Sequence, residues 1–382
     1  MKTENDNKNL NVPNLRFPEF DGEYLDTTLS ELASIVGGGT PDTTVPKYWN
    51  GEIQWFTPSE IGKHKYVLHS ERTISKDGLN NSSAKLLPKN TILLSTRATI
   101  GEASIAKAEC CTNQGFQSLI ANSKRSDNEY LYYLVATLKK ELIRRSCGST
   151  FLEISANEVR RIKAKIPSLL EQQKISSFLS LLDKRIDTQI KIIEDLKKLK
   201  SAIRSKLYLQ IENTCESNIE IRDMLNYEQP SEYIVKSTEY SDQYKTPVLT
   251  ANKAFILGYT DEEFGVYDKG ECIILDDFTM DVKYVSFPFK VKSSAIKILT
   301  PKTDVDLYFI YEYIQYLGLV ADEHKRHYIS EIEPISIAYI SFNEQCKISN
   351  TLRSIDKQIE NANSILFLCN KQKQYLLSQM FI

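Results

Sequence analysis

Two stretches of the chain carry apolar residues at alternating spacings of three and four positions. This heptad pattern is typical of a helix that packs along a partner helix. The stretches begin at Glu171 and Glu344, and neither contains Gly or Pro. Each therefore predicts one helix of about 39 residues, roughly 58 Å long at 1.5 Å per residue. The apolar positions predicted to pack in a helix pair are Ile175, Leu179, Leu182, Ile186, Ile193, Leu196, Ile203, Leu207, Ile348, Leu352, Ile355, Ile359, Leu366, Leu376 and Met380, with Ala362 and Cys369.

The second stretch repeats the first at an offset of 173 residues. The sequence EQQKIS of residues 171–176 recurs as EQCKIS in residues 344–349, and the match continues without a gap. Polar residues interrupt the apolar seam at Gln189, Lys200 and the counterpart of Lys200, Lys373. Such residues tend to fix the register and the pairing of helices.

The segments before the two helices also resemble each other. Both are rich in aromatic and β-branched runs punctuated by Gly, Pro, Asn and Asp, which indicates short strands with a few helices. Residues 54–59 resemble residues 247–252, and residues 89–94 resemble residues 269–274. An aromatic helical stretch then follows in each segment.

These patterns predict an α+β protein in which two globular mixed α/β domains alternate with two long helices. We expect the helices to pair as an antiparallel coiled coil, which gives the chain pseudo-twofold symmetry. The predicted organisation is an N-terminal tail (1–14), a first domain (15–167), a first long helix (168–210), a second domain (211–342) and a second long helix (343–382).

The charge is balanced overall but unevenly distributed. The 382 residues carry 48 basic and 50 acidic side chains, a formal charge of −2 that gives no global sign of a nucleic-acid partner. Residues 211–342, however, carry 12 basic and 23 acidic side chains. A module so acidic approaches phosphates only if its basic residues share one face or if a partner supplies the phosphate contacts, and we favour the second. The candidates for a shared basic face are Lys283, Lys290, Lys292, Lys297, Lys325 and Arg326.

Several classes of protein and of site are disfavoured. The seven cysteines are scattered without a C-x-x-C pair, and no run of eighteen apolar residues occurs, which favours the cytoplasm over secretion or the membrane. The chain lacks methyltransferase, phosphate-loop and H-E-x-x-H motifs, and Gly37–Gly39 precede Thr-Pro, which favours a turn. The acidic cluster of Asp276, Asp277 and Asp281 fits turn chemistry or base readout better than magnesium catalysis. We therefore expect no catalytic residue and no metal site.

With these features, the chain resembles the specificity subunits of type I restriction-modification systems. The similarity runs from about Leu15 to the end and is carried by the repeated E-Q-x-K-I helices and by residues 38–41, 94–97, 112–116 and 247–259. The resemblance implies that each globular domain is a target-recognition domain that reads one half of a split target in double-stranded DNA. It also implies that the helices set the spacing of the halves and dock two modification (methyltransferase) subunits.

On the same resemblance, the chain is a non-catalytic subunit. Adenine methylation with S-adenosylmethionine, and cleavage with ATP and Mg²⁺, belong to the modification and restriction (motor-nuclease) subunits, and this chain binds no cofactor. A structural adaptor whose domains bind protein, and a silent recombination copy of a specificity subunit, remain as alternatives.

Base-reading residues are expected among polar side chains in loops at matching places of the two domains, because such groups hydrogen-bond base edges. For each, a role in a turn or a helix cap is the competing interpretation. Trp55 and Tyr259 are expected to be core or platform residues rather than residues that stack on bases. The candidates for DNA binding are Ser59, Arg97, Gln114, Ser149, Asn252, Lys253, Asp277 and Lys283.

Overall fold

The structure is a computed structural model that describes residues 11–148, 152–250, 255–320 and 327–382. It divides into two compact units. Unit 1 comprises the chain up to Thr188 together with Ile365–Ile382, and unit 2 comprises Gln189–Ser364. Each unit thus contains one globular head and a part of each long helix. The predicted segments, which separate helices from heads, differ from this division because the inner faces of the helices belong to the cores of the heads.

The head of unit 1 is built from short strands with helices between them. Its strands are β1 (Leu25–Thr28), β2 (Ala33–Gly37), β3 (Trp49–Phe56), β4 (Tyr66–Val67), β5 (Arg72–Ile74), β6 (Ile92–Leu94), β7 (Ala103–Ala106), β8 (Cys110–Thr112), β9 (Gln117–Ala121) and β10 (Lys163–Ile166). Its helices are α1 (Leu29–Leu32), α2 (Lys76–Asn80), α3 (Asn128–Thr137), α4 (Lys139–Arg144) and α5 (Ala156–Arg160), with 3-10 turns at Pro46–Tyr48 and Pro58–Glu60.

The first long helix, α6 (Leu169–Thr214), follows directly, and the head of unit 2 comes next. Its strands are β11 (Asn218–Glu220), β12 (Leu225–Glu228), β13 (Thr246–Leu249), β14 (Ile256–Thr260), β15 (Cys272–Asp276), β16 (Val282–Val285), β17 (Lys290–Val291), β18 (Ile296–Pro301) and β19 (Ser336–Ala338). The helices are α7 (Ile221–Met224), α8 (Leu307–Leu317) and the second long helix α9 (Phe342–Met380), with a 3-10 turn at Pro230–Tyr233 and a π turn at Tyr328–Ile332.

Corresponding strands have corresponding partners in the two heads. In unit 1, β3 pairs in parallel with β8, and β6 lies between β9 and β7 in a five-stranded sheet. In unit 2, β13 pairs in parallel with β17, and β15 lies between β18 and β16 in a four-stranded sheet. The repeats of residues 54–59 in 247–252 and of 89–94 in 269–274 thus correspond to strands β3 with β13 and β6 with β15, and the predicted α+β fold is confirmed.

A two-stranded antiparallel ribbon closes each head immediately before a long helix. Strand β1 pairs with β10 in unit 1, and β11 pairs with β19 in unit 2. The ribbon brings the start and the end of each head together, so each head is a closed insertion ahead of its helix.

The helices pack on the heads with the apolar positions that the heptad pattern selects. Ile175, Leu179 and Leu182 of α6 belong to the same core cluster as Leu131 and Leu134 of α3. All fifteen of the predicted Ile, Leu and Met positions of the seam are buried or half-buried. Helix α6 ends at Thr214, four residues beyond the predicted boundary, because Ile211 is buried in the core of unit 2 and Glu212 accepts hydrogen bonds from two tyrosines of α8.

Candidate nucleic-acid interface

In unit 1, four loops that follow strands meet at one surface with a fifth segment, around Glu153, that follows α4. Backbone hydrogen bonds join them: Gly39 N to Thr112 O (2.8 Å), Asn113 N to Phe56 O (3.1 Å), Thr96 N to Gly115 O (2.8 Å) and Ile154 N to Thr96 O (3.1 Å). We call this surface loop cluster 1 and define it as residues 38–44, 57–60, 95–99, 112–116, 146–148 and 152–154. Its backbone is held by the strands beneath it, which is how a rigid scaffold presents binding loops.

Three of the predicted DNA-binding side chains, Ser59, Arg97 and Gln114, lie in loop cluster 1 and are exposed. The loops that carry them are in contact at Gly115, where an added Cβ would lie 2.9 Å from Pro58 Cγ and 3.7 Å from Arg97 Cβ. Only Gly permits this close approach. The structure therefore brings these three residues of the first domain together.

Each of the three has an identified neighbour. Gln114 Oε1 accepts a hydrogen bond from Thr40 Oγ1 at 2.5 Å, and Ser59 Oγ lies 3.0 Å from Thr57 Oγ1. The Arg97 guanidinium donates to Glu153 Oε2. Ser149, the fourth prediction in this domain, lies outside the described residues.

The Gly37–Gly39 run has a packing role in the same cluster. A Cβ at Gly38 would lie 1.9 Å from Asn113 O, and Gly39 O accepts a hydrogen bond from the indole of buried Trp55 at 2.9 Å. No α-helix begins directly after the run. The glycines allow two loop backbones to approach each other, and residues 38–42 form an irregular loop after β2.

In unit 2, Asp277 is held by its own domain. Its side chain is buried, Oδ1 accepts from the backbone N–H groups of His327 (3.1 Å) and Tyr328 (2.8 Å), and Oδ2 lies 3.3 Å from Lys297 Nζ. Asp276 accepts hydrogen bonds from Phe278 N and Thr279 N. These carboxylates order the turn after β15, and base readout by Asp277 has no support in this geometry.

Two of the lysines considered for phosphate contact are also internal. Lys290 is fully buried, with Nζ 3.1 Å from Glu262 Oε2, and Lys297 is buried against Asp277. These two lysines therefore do not contribute to a basic DNA-facing surface, the less favoured of the two options, because each neutralises a carboxylate inside unit 2. Lys283 is half-exposed on β16, whereas Asn252, Lys253, Lys325 and Arg326 lie outside the described residues.

The turns after β6 and β15 share a strained backbone. Ala98 has φ of 63° and Met280 has φ of 59°, a left-handed conformation that costs a non-glycine residue about 1 kcal/mol or more. Both residues lie in the turns that carry the predicted base-reading residues Arg97 and Asp277, although Met280 is two positions beyond the counterpart of Ala98. Strain of this kind persists where surrounding contacts over-determine the backbone.

The long helices make antiparallel contacts within each unit. In unit 1, Asp183 of α6 and Lys373 of α9 form an ion pair at 2.6 Å. In unit 2, Lys200 of α6 and Asp356 of α9 form the counterpart at 2.7 Å, and Gln189 Nε2 donates to Ala362 O. The two ion pairs are equivalent under the 173-residue repeat, because Asp183 corresponds to Asp356 and Lys200 corresponds to Lys373.

The repeated Glu-Gln start of each long helix joins it to its head. Gln172 is buried, and its Oε1 accepts a hydrogen bond from the backbone N–H of Asp127, the residue that caps α3. Gln345 makes the same hydrogen bond to Asp306, the residue that caps α8. Sequence repetition marked these glutamines, but only the structure shows that they bind the caps of the aromatic helices.

Charged and polar side chains also join the head of unit 1 to α6. Lys65 lies 3.6 Å from Asp183 and also contacts Glu129. Burial and a hydrogen bond to Asp183 raise the pKa of Tyr133 well above its usual range, so its hydroxyl stays protonated and donates. No sequence motif distinguishes such residues, because the partners are far apart along the chain.

Among the described residues, no group of three or more His, Cys, Asp or Glu side chains is arranged to hold a metal ion. None of the described helices is long and apolar enough to span a membrane.

Comparison with known proteins gives one consistent family. Residues 23–198 match the family model of the Type I restriction modification DNA specificity domain. The chain is 34% identical over 212 residues to the type I restriction enzyme MjaIX specificity subunit of Methanocaldococcus jannaschii, and 46% identical over 114 residues to the EcoR124I/EcoR124II specificity subunit of Escherichia coli. These matches cover 54% and 28% of this chain and 49% and 28% of the relatives, so the chain spans about half or less of their length.

Two solved structures share the fold over nearly the whole chain. A type I restriction-modification S subunit from M. genitalium has a TM-score of 0.62 at 17% identity, covering 97% of this chain and 99% of that one. A chain from a study of complex assembly and conformational transition of the type I R-M system has a TM-score of 0.56 at 14% identity, with 94% and 97% covered. The family model and the sequence relatives confirm the resemblance stated from the sequence, and the two solved structures confirm the fold.

Proposed function

We propose that this chain, a relative of the specificity subunits of type I restriction-modification systems, is the DNA sequence-recognition subunit of such a system. The observation that carries the proposal is loop cluster 1, which gathers Ser59, Arg97 and Gln114 on one surface within the matched DNA specificity domain. Exposed Arg and Gln side chains on rigid loops are suited to hydrogen-bonding base edges in the major groove.

Unit 2 reads the other half of a split double-stranded target. Its head repeats the strand pairing of unit 1, but residues 211–342 carry 12 basic and 23 acidic side chains, and Lys290 and Lys297 are buried in ion pairs. Phosphate contacts supply most of the affinity for DNA, so a domain of this charge depends on a partner for them. The partners are two modification (methyltransferase) subunits, which dock on the outer faces of the long helices.

The chain itself is non-catalytic. The modification subunits carry S-adenosylmethionine and methylate adenine, and restriction subunits supply ATP- and Mg²⁺-dependent translocation and cleavage. Helices α6 and α9 set the number of base pairs between the two halves of the target, a role supported by their uninterrupted length and their matched ion pairs.

The test is to co-express the full chain with its cognate modification subunit and to map methylated adenines by sequencing. One split target is expected, and Arg97→Ala should lower methylation of the cognate target about 5- to 150-fold, the loss of one bidentate base contact. Arg161→Ala is the control, because Arg161 is exposed in the same unit outside loop cluster 1. Methylation by the chain alone would contradict the proposal, and equal affinity of the complex for all sequences would favour an adaptor.

A further inference from the structure

The Arg97 side chain is held in one orientation by a single carboxylate. Arg97 Nε and Nη2 donate to Glu153 Oε2 at 3.1 and 2.6 Å. These two donors lie on one edge of the guanidinium, and no described residue hydrogen-bonds Nη1. The end-on pair of donors, one N–H of Nη1 and the second N–H of Nη2, is left available.

The backbone places the carboxylate firmly beside the arginine. Arg97 and Glu153 are partners in an antiparallel bridge, and Ile154 N donates to Thr96 O at 3.1 Å. Glu153 also exchanges both backbone hydrogen bonds with Cys147, at 2.9 and 3.0 Å. Directly opposed residues of an antiparallel pair project to the same face, so the ion pair is a consequence of the strand register.

The loop on the other side of Arg97 is equally constrained. Ala98 has the left-handed φ of 63°, and Thr99 N donates back to Arg97 O at 2.8 Å. The backbone of Arg97 is therefore fixed from both directions. The ion pair is solvent-accessible, with the two side chains 49% and 43% exposed, so it contributes little to folding stability.

We propose that Glu153 is a positioning residue that presents the free end-on fork of Arg97 to a guanine in the half-site read by unit 1. This inference rests on the proposed function. Guanine offers two acceptors, O6 and N7, at the major-groove edge, and a guanidinium fork matches both. A guanidinium already oriented loses less side-chain freedom on binding, and the carboxylate opposes its capture by a phosphate at other sites.

The experiment uses the full chain assembled with its cognate modification subunit. Binding is measured for the cognate duplex and for every single-base-pair variant of the target, with Glu153→Ala, Glu153→Asp and wild type. Wild type should discriminate at one G·C pair through Arg97, and Arg97→Ala should lose discrimination at that pair. Glu153→Ala should lower discrimination at that pair about 5- to 30-fold and leave the other positions unchanged, and Glu153→Asp should recover part of it.

Glu102→Ala is the matched control. Glu102 forms an exposed ion pair with Lys139 at 2.5 Å in the same unit, with similar exposure of 37% and 46%. Its removal should change no position of the target, and thermal unfolding of both variants should match wild type.

A uniform loss at all positions in Glu153→Ala, or no change, would overturn the positioning role. Dependence of an A·T pair on Arg97 would overturn the assignment to guanine. Failure of the proposed function is distinguishable, because the wild-type complex would then show no sequence preference at all.

Discussion

The ion pairs of the helix seam differ in what each lysine neutralises, and this difference predicts unequal losses of stability. Lys200 Nζ lies 2.6 Å from Glu312 and 2.7 Å from Asp356, and the Glu312 side chain is completely buried. Lys200→Met leaves Glu312 with Arg204 alone, at 3.2 Å. Removing one partner of a buried pair costs about 3–5 kcal/mol, and the remaining arginine reduces the expected loss to about 2–3 kcal/mol.

Lys373 provides the comparison inside the same protein. It is the counterpart of Lys200 and pairs with Asp183, but Asp183 keeps Lys65 at 3.6 Å and the Tyr133 hydroxyl after the change. Lys373→Met should therefore lower the free energy of unfolding by only about 1 kcal/mol. Lys and Met have similar helix propensities, so helix formation itself is not altered.

Native-state hydrogen exchange is the appropriate assay because it resolves the two units, whereas one denaturation curve does not. Protection of α8 amides should fall in Lys200→Met, and protection of α3 amides should fall less in Lys373→Met. Lys198→Met, at an exposed position of α6, should leave both unchanged. Equal losses in the two lysine variants, or a loss in Lys200→Met no larger than in Lys198→Met, would refute the reasoning.

Two further predictions concern the loops and the helices. Cys147 is exposed in loop cluster 1, whereas Cys110 is buried and its burial raises the pKa of the thiol to about 12. A thiol reagent at pH 8 should therefore modify Cys147 rapidly and Cys110 only on unfolding. Cognate DNA bound to the complex should slow modification of Cys147, and an unchanged rate would place DNA elsewhere. Seven residues can be inserted into each long helix next to the facing Gln189 and Ala362, which keeps the heptad register. Because each insertion lengthens its helix by about 10.5 Å, the gap between the two halves of the methylated target should widen by about 3 base pairs. An unchanged gap would contradict the spacing role.

Most of the fold could be predicted from the heptad periodicity and the internal repeat of the sequence. The heptads located the inner faces of α6 and α9, because a helix buries one stripe and the stripe is visible in a single sequence. The repeat anticipated the equivalence of β6 with β15. Tyr208 was not anticipated, because it lies one position beyond the heptad residue Leu207 and packs on α8.

The binding residues were less accessible to sequence reasoning. Polar loop residues at matching offsets include both Arg97, which is exposed, and Asp277, which is buried against Lys297. Their environments depend on residues distant in sequence, Glu153 for the first and His327 and Tyr328 for the second. Glu153 carries no motif, and only strand register places it beside Arg97.

The joint between head and helix has a consequence for how such proteins change. Gln172 with Asp127, and Gln345 with Asp306, make the same contact at the base of two heads whose loops differ. The hydrogen bond between the helix glutamine and the capping aspartate is repeated, whereas the loops of the two heads differ. Under the proposed function, a different head would need only a closing ribbon and an acidic cap on its aromatic helix to fit these helices, so the DNA target could change without redesign of α6 and α9.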